Sequence, residues 1–415
     1  MASAANTVQT LNGHFKEIYA DNIKDLRPQG VKMINMIDFI EASKRLGNQF
    51  NLPVVLGYEH GFSYGGNSGQ AFSLNNAISA AHENAQIKGH ELVLRSFLSV
   101  GAASRSMNEG KGAFIQETKY IVENMLKSYM HRLEAQMMYG QSGIGKVEGV
   151  SGAVIDIEPE EWAPGIWAGS ENMEIEIFSA VSGGTLRGTA TVQSVDFDTR
   201  KITVTGVPAG TTAGDFIFHK GARDKEFAGL HKISENTTST LFGIDASTYS
   251  LYRGNIIDVG TNFAGNEAVL SFDKVEEGLA RMMEKGLSEE DTIVLCNPRS
   301  WKNLLTEQAA KRQYDSSFSS DKMENGSKSI RFYAQSGTVE IKSSIYVKEG
   351  FAYIFSPKQF TRIGSSDVTF EQPGFEGKFL KLLESTNAYE MRLYSDQALF
   401  AEAPGQTALL RYIKS

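Results

Sequence analysis

Residues 112–145 read GAFIQETKYIVENMLKSYMHRLEAQMMYGQSGIG, and positions 113–139 within them hold 27 residues without Gly or Pro. At 1.5 Å per residue this predicts one helix about 40 Å long. Its apolar positions are Phe114, Ile115, Ile121, Val122, Met125, Leu126, Tyr129, Leu133 and Met137, which cover more than half its circumference. A helix patterned this way is packed on several sides, as a spine rather than a surface decoration. Gly140 opens the Gly-rich turn that ends it.

Upstream of the spine, MINMIDFIEASKR (33–45) places Met33, Met36, Ile37 and Ile40 at helical spacing, so a helix is expected there, ended by Gly47. A short helix over 11–19 is expected in the arm before it. Residues 57–90, GYEHGFSYGGNSGQAFSLNNAISAAHENAQIKGH, are Gly-rich and polar with almost no core material. A connection this long is functional or draped on another body. Residues 91–100, ELVLRSFLSV, read as a strand. Downstream, Thr/Val/Ile alternation broken by Gly and Pro over 174–263 predicts short antiparallel strands. Asp273 with Glu276 suits a capping box for a helix whose apolar face is Val275, Leu279, Met282 and Met283. TIVLC (292–296) is a buried strand, and Asn297-Pro298 caps a second helix. A Ser-rich loop (314–327), strands at 339–347 and 351–355, and one half-buried long strand over 389–413 complete the chain.

The chain has 415 residues, 41 Lys+Arg against 49 Asp+Glu, and one Cys. The 24 Phe, 15 Tyr and 3 Trp exclude disorder. One Cys excludes a disulfide framework and a Cys-rich metal site. No run of 18 apolar residues exists to span a membrane, and MASAANTVQTLNGHF has neither the basic start nor the apolar stretch of a secretory signal, so the sequons at Asn236 and Asn325 are silent. The net charge of −8 argues against a surface built to grip nucleic acid.

Chemical motifs are weak. Gly140–Lys146 matches G-x-x-x-x-G-K, but Val147 stands where Ser/Thr would ligate Mg²⁺ and a helix precedes the loop, so a structural turn is favoured over a nucleotide site. The seven His form no H-E-x-x-H, and Cys296 in its apolar run reads as core. Glu158, Glu160 and Glu161, like Glu289, Glu290 and Asp291, read as solvated loop carboxylates with ordinary pKa values. The aromatics Tyr58, Phe62, Tyr64 and Phe72, inside a segment without a core, suggest anchors for another subunit. The alternative is a flap folded on its own body.

The order of parts, with DFIEASKRLGNQFNLPVVLGYEHGFSYGG (38–66), KGHELVLRSFLSVGAASRS (88–106), the spine segment and AYEMRLYSDQALFAEAPGQT (388–407), resembles the major capsid proteins of tailed double-stranded DNA bacteriophages (Caudoviricetes), the Hong Kong 97-like family. The resemblance covers nearly the whole chain from Asp38. It implies an α+β capsid fold: an N-terminal arm (1–56), an extended loop with its strands (57–100), a peripheral domain with the spine helix (101–155), a β-rich insertion (156–265), an axial domain (266–372) and C-terminal strands returning to the peripheral domain (373–415). It implies no enzyme activity and no cofactor or metal. It implies self-assembly into hexamers and pentamers of an icosahedral head, made in the host bacterial cytoplasm and ending in the virion. The partners it implies are a separate scaffolding protein, a portal, a decoration protein and weak non-specific contact with packaged DNA, with no membrane. The residues implied at subunit interfaces are Tyr58, Phe62, Tyr64, Phe72, Lys88, Arg95 and Arg105. Some members cross-link the extended loop through a Lys; Lys88 is the only Lys here, at the loop's edge, and no cross-link is expected. A shell needs contacts that close at both five-fold and six-fold positions, which flexible loops on a rigid wall supply. The same-fold alternative is an encapsulin-type compartment; the different-class alternative is a nucleotide-binding enzyme using Gly140–Lys146.

Overall fold

The computed structural model describes residues 30–41, 49–67, 69–100, 111–288, 291–312, 330–334, 337–371, 381–383 and 387–414. The expected short helix over 11–19 and the Ser-rich loop 314–327 lie outside them.

The spine helix runs over Lys111–Tyr139. From Leu133 onward every residue of it is buried, including Glu134 and Gln136, which is what its all-round apolar pattern requires. Three bodies pack around it: a five-stranded sheet, a six-stranded sheet with two helices, and a closed β-barrel.

The chain reaches the helix through α1 (Met33–Met36), a single turn. The Glu134 carboxylate accepts the backbone N–H groups of Lys32, Met33 and Ile34 at 2.9, 2.8 and 3.2 Å. The helix expected over 33–45 does not continue. Ile37 turns extended, and β1 (Phe39–Glu41) pairs in parallel with β18 (Phe360–Thr369). Arg362 Nε also donates to the Ile37 carbonyl at 3.0 Å. The ladder and this bond give the segment's backbone groups partners elsewhere in the chain, so long-range pairing overrides the local period.

The five-stranded sheet centres on β20 (Ala388–Ala401). It pairs with β18, with β4 (His90–Ser99) over ten register positions, and with β19 (Lys381–Leu382). The tail is thus not one strand. Pro404-Gly405 breaks it after Ala401 because Pro fixes φ and donates no N–H. The chain then enters the other sheet as β21 (Ala408–Arg411).

The six-stranded sheet runs in the order β13 (Asn255–Asp258), β21, β17 (Phe351–Phe355), β14 (Thr292–Cys296), β16 (Gly337–Ser343), β15 (Ile330–Ala334). All five residues of both β14 and β17 are buried, as continuous apolar strands covered on two faces must be. Val294, Ile354 and Leu410 join a core with the helix Phe272–Glu284 and Leu304 of the helix Pro298–Arg312. Leu295, Tyr353 and Leu409 join the core that includes the spine. The cap of the first helix is Ser271, whose hydroxyl accepts from Lys274 N, and not the expected Asp273. The second is capped as expected, with Asn297 Oδ1 accepting from Arg299 N at 3.0 Å.

The barrel closes in the order β10 (Phe216–His219), β5 (Gly145–Ser151), β6 (Val154–Ile157), β9 (Lys201–Val204), β8 (Leu186–Asp196), β7 (Glu174–Phe178). Alternate residues fill it: Val147, Ile155, Ile157, Ile175, Ile177, Ile202 and Val204 are all within 1% of complete burial. Its first two strands follow directly from the Gly-rich turn, before the stretch whose Thr/Val/Ile alternation predicts strands.

Candidate functional site

β2 (Gln49–Val55) and β3 (His82–Lys88) form a two-stranded ribbon in continuous antiparallel register from Gln49↔Lys88 to Val55↔His82. Period-2 alternation turns Ala85 and Ile87 inward, both buried. The base is held to the body by Gln86 N donating to Phe242 O at 2.7 Å and Tyr249 Oη donating to Glu83 Oε1 at 2.8 Å. Next to Lys88 at the base, Gly89 hands β3 over to β4. A Cβ there would lie 2.2 Å from Asp396 Oδ1, so a side chain at this crossover would have to displace that carboxylate.

Beyond Val55 the two limbs, 56–81, carry no regular ladder. Leu56 N bonds Ala81 O at 2.8 Å and His60 N bonds Ile78 O at 3.1 Å. Asn75 then bridges with its N to Ser63 Oγ at 2.6 Å and its Nδ2 to Phe62 O at 2.7 Å. Phe72 lies against Gly65, where a Cβ would meet the ring at 2.4 Å, and so holds the two limbs together. A dozen residues per limb span at most about 40 Å when fully extended.

Among the ribbon's exposed side chains several are large and apolar. Tyr58 is 85% exposed, Phe62 69%, Tyr64 90% and Leu74 80%. Each is solvent-exposed and joins neither core of the described residues. Isolated exposed apolars are ordinary, and it is their number on one projecting ribbon that sets these apart. The return limb adds Leu74 and Ile78, which the sequence reading passed over. Their signal was the apolar spacing in AFSLNNAI, hidden by its Asn-rich setting.

The other sequence-named residues fall elsewhere. Lys88 is exposed at the ribbon's base. Arg95 lies on β4, its Nε 2.6 Å from Glu390 Oε1 and its guanidinium 4.3 Å over the Phe97 ring. Arg392 binds the same carboxylate at 2.9 Å. Hydrogen bonding from Arg392, with both nearby positive charges, holds the Glu390 carboxyl below the usual range. Arg105 lies outside the described residues.

The motif Gly140–Lys146 is a structural crossing. Gly140 O accepts from Gly229 N at 3.0 Å, and a Cβ on Gly140 would stand 2.2 Å from Phe227 O. Lys146 enters β5 and pairs with Glu158 at 2.8 Å. A helix leads in and a strand leads out, the reverse of a phosphate-binding loop. Burial pushes the Cys296 thiol up to about 12, which leaves it inert within the core.

The acidic run 158–161 is not a solvated loop, contrary to the expectation. Its helical turn docks on 348–350, with Glu349 N bonding Trp162 O and Gly350 N bonding Glu160 O at 3.0 Å each. Burial pushes Glu160 up to about 7. Burial also opposes charge on Glu161, but the ammonium of Lys348 outweighs it and its pKa is lowered. Of the second run, Asp291 is described and exposed; 289 and 290 are not described.

No family model and no curated protein matches the chain. Solved structures do, over nearly full length. The capsid asymmetric unit of cyanophage A-1(L) is similar at a TM-score of 0.63 with 10% identity, covering 99% of this chain and 100% of that one. The capsid of the native GTA particle is similar at 0.50 with 9% identity, covering 99% and 100%. The capsid of cyanophage P-SCSP1u is similar at 0.50 with 11% identity, covering 99% and 96%. Side by side with the spine helix, the projecting ribbon and the long central β20, these likenesses show that the chain has the α+β fold of phage capsid proteins.

Proposed function

We propose that this chain is the major capsid protein of a tailed double-stranded DNA bacteriophage, a shell subunit without catalytic function that assembles into hexamers and pentamers of an icosahedral head in the host bacterial cytoplasm. The observation that carries the reading is the ribbon of residues 49–88, whose apolar tip joins neither core of the described residues in a molecule with the phage capsid fold. Burying Tyr58, Phe62 and Tyr64 on a neighbour gives each contact an aromatic anchor of about 1.5–3 kcal/mol. Repeated around a ring, such head-to-tail contacts close into capsomers. The tip's sparse hydrogen bonding lets it follow different angles at five-fold and six-fold positions, while the spine and the two sheets keep the wall rigid.

The interface residues on this reading are Tyr58, Phe62, Tyr64 and Phe72, with Lys88 at the ribbon's base, Arg95 on β4, and Arg105. A scaffolding protein directs assembly, a portal occupies one vertex, and a decoration protein binds the finished shell. The net charge of −8 lets enclosed DNA slide with only weak contacts. The six parts keep their order along the chain, with the β-rich insertion taking in β5 and β6 so that the barrel stays whole. Purified protein examined by electron microscopy, alone and with co-expressed phage assembly proteins, is expected to form icosahedral shells or free capsomers. Discrete monomers under every condition overturn the reading, and shells that enclose a protein cargo instead of DNA assign the encapsulin-type alternative.

A further inference from the structure

Between the spine helix, the barrel rim and the entering chain at Val31 lies a cleft of about 880 Å³. Its polar groups are poorly matched. Arg132 of the spine lines it, and its guanidinium donates to no group among the described residues. Burial lowers the Arg132 pKa, and the charge that opposes this is Glu226. Glu226 is itself pushed up to about 7 by burial, so at neutral pH its countercharge is only partly present. His219, at the end of β10, is 3% exposed and neither ring nitrogen has a partner. Burial first, and then the charges of Arg132 and His131, keep that ring neutral, with one N–H to donate. The Ser170 hydroxyl, 4% exposed on the same lining, is also without a partner.

We propose that this cleft binds a small oxyanion, with Arg132 as its charge partner and His219 and Ser170 as neutral donors. Water would satisfy the imidazole and the hydroxyl but would leave the guanidinium's charge unmatched. A planar fork of N–H groups pairs with carboxylate or phosphate oxygens in two-point fashion. Of the two carboxylates on this lining, Glu174 is held by Lys220 at 2.7 Å and Glu171 is solvent-exposed, while Lys127 adds positive charge to the same wall. Leu126, Met130 and Met173 line the remainder, leaving room for an organic portion beyond the anionic group.

The test is calorimetric titration of the full chain, as unassembled subunits, with inorganic phosphate and separately with succinate. Saturable binding of at least one anion is expected, weakened tenfold or more by Arg132→Gln and several-fold by His219→Phe. Lys146→Gln, whose lysine pairs with Glu158 instead, should bind like the parent. Ser170→Ala removes a single hydroxyl and should weaken binding while leaving the anion-free melting temperature unchanged, which keeps the proposal testable where a larger change impairs folding. Phosphate alone binding assigns a tetrahedral anion, and succinate alone assigns a carboxylate. Absence of binding by the parent chain, or equal affinity in Arg132→Gln and Ser170→Ala, overturns the proposal. The result is independent of whether the chain forms shells.

Discussion

At the scale of single residues, stability is concentrated in buried charges that an acidic surface count does not reveal. Glu134 is fully buried and holds three backbone N–H groups of the entering chain. Glu134→Ala leaves those donors without an acceptor and should cost about 2–4 kcal/mol in urea unfolding. Glu134→Gln keeps one acceptor oxygen and should cost less. Glu160 sets a pH dependence. Its unfolded form releases a proton near 4.5 and its folded form near 7. Between those values the folded state binds more protons, so its contribution to stability falls as pH rises. Glu160→Gln should therefore flatten the urea midpoint between pH 4.5 and 7. Glu161, with its pKa lowered, acts oppositely: its contribution is present above about 4.5 and lost as pH falls further.

At the scale of elements, two crossings deserve experiments. The spine's end meets 227–229 with no space for a side chain: a Cβ on Gly140 would contact Phe227 O at 2.2 Å, and one on Gly229 would contact Gly140 N at 2.6 Å. Gly140→Ala or Gly229→Ala should destabilise by about 1–3 kcal/mol, read from denaturant midpoints, because backbone rather than a side chain must move. The ribbon should behave in the opposite way. The triple change Tyr58→Ser, Phe62→Ser and Tyr64→Ser touches exposed positions, so subunit stability should move by no more than about 0.5 kcal/mol per site. Particle yield on gradients should nevertheless fall to background, and unchanged yield would remove these aromatics from the interface. The spine, β4, β14, β17 and the Asn297 cap were legible in the sequence because each has a strong local period or a capping pair. The helix expected over 33–45 failed because β18 offered its segment a ladder. The long tail strand failed because Pro404-Gly405 was passed over.

At the scale of the whole molecule, the barrel is fastened to the rest by ions that come from distant parts of the chain. Lys348, 1% exposed, reaches Glu161, the Gly143 carbonyl at 3.1 Å and the face of Tyr139 at 4.3 Å. One residue on, Glu349 binds Arg200 of the barrel at 2.7 Å. Lys348→Met leaves Glu161 charged and unpaired at the junction, and should cost about 3–5 kcal/mol in global unfolding. The double change Lys348→Met, Glu161→Leu should recover much of that loss. Equal stability of the single variant and the parent would mean that the barrel hangs on the wall without this pair. On the proposed function, a barrel fastened in this way suits a shell in which the ribbon, and not the wall, absorbs differences of angle.

The sequence by itself determined the elements whose information is local: the spine, the buried strands, the coreless Gly-rich excursion, and the absence of any disulfide. It also carried the exposed aromatics, since Tyr58, Phe62 and Tyr64 stand out in a segment with little core material of its own. Tertiary structure alone decided what depends on partners far apart in the chain. It put Glu134 at the start of α1, turned 158–161 from an expected solvated run into a docked junction, and left Arg132, His219 and Ser170 facing one cleft. Charge and polarity are cheap to read along a chain, but their energy is set by burial and by what stands opposite, and both are properties of the folded molecule.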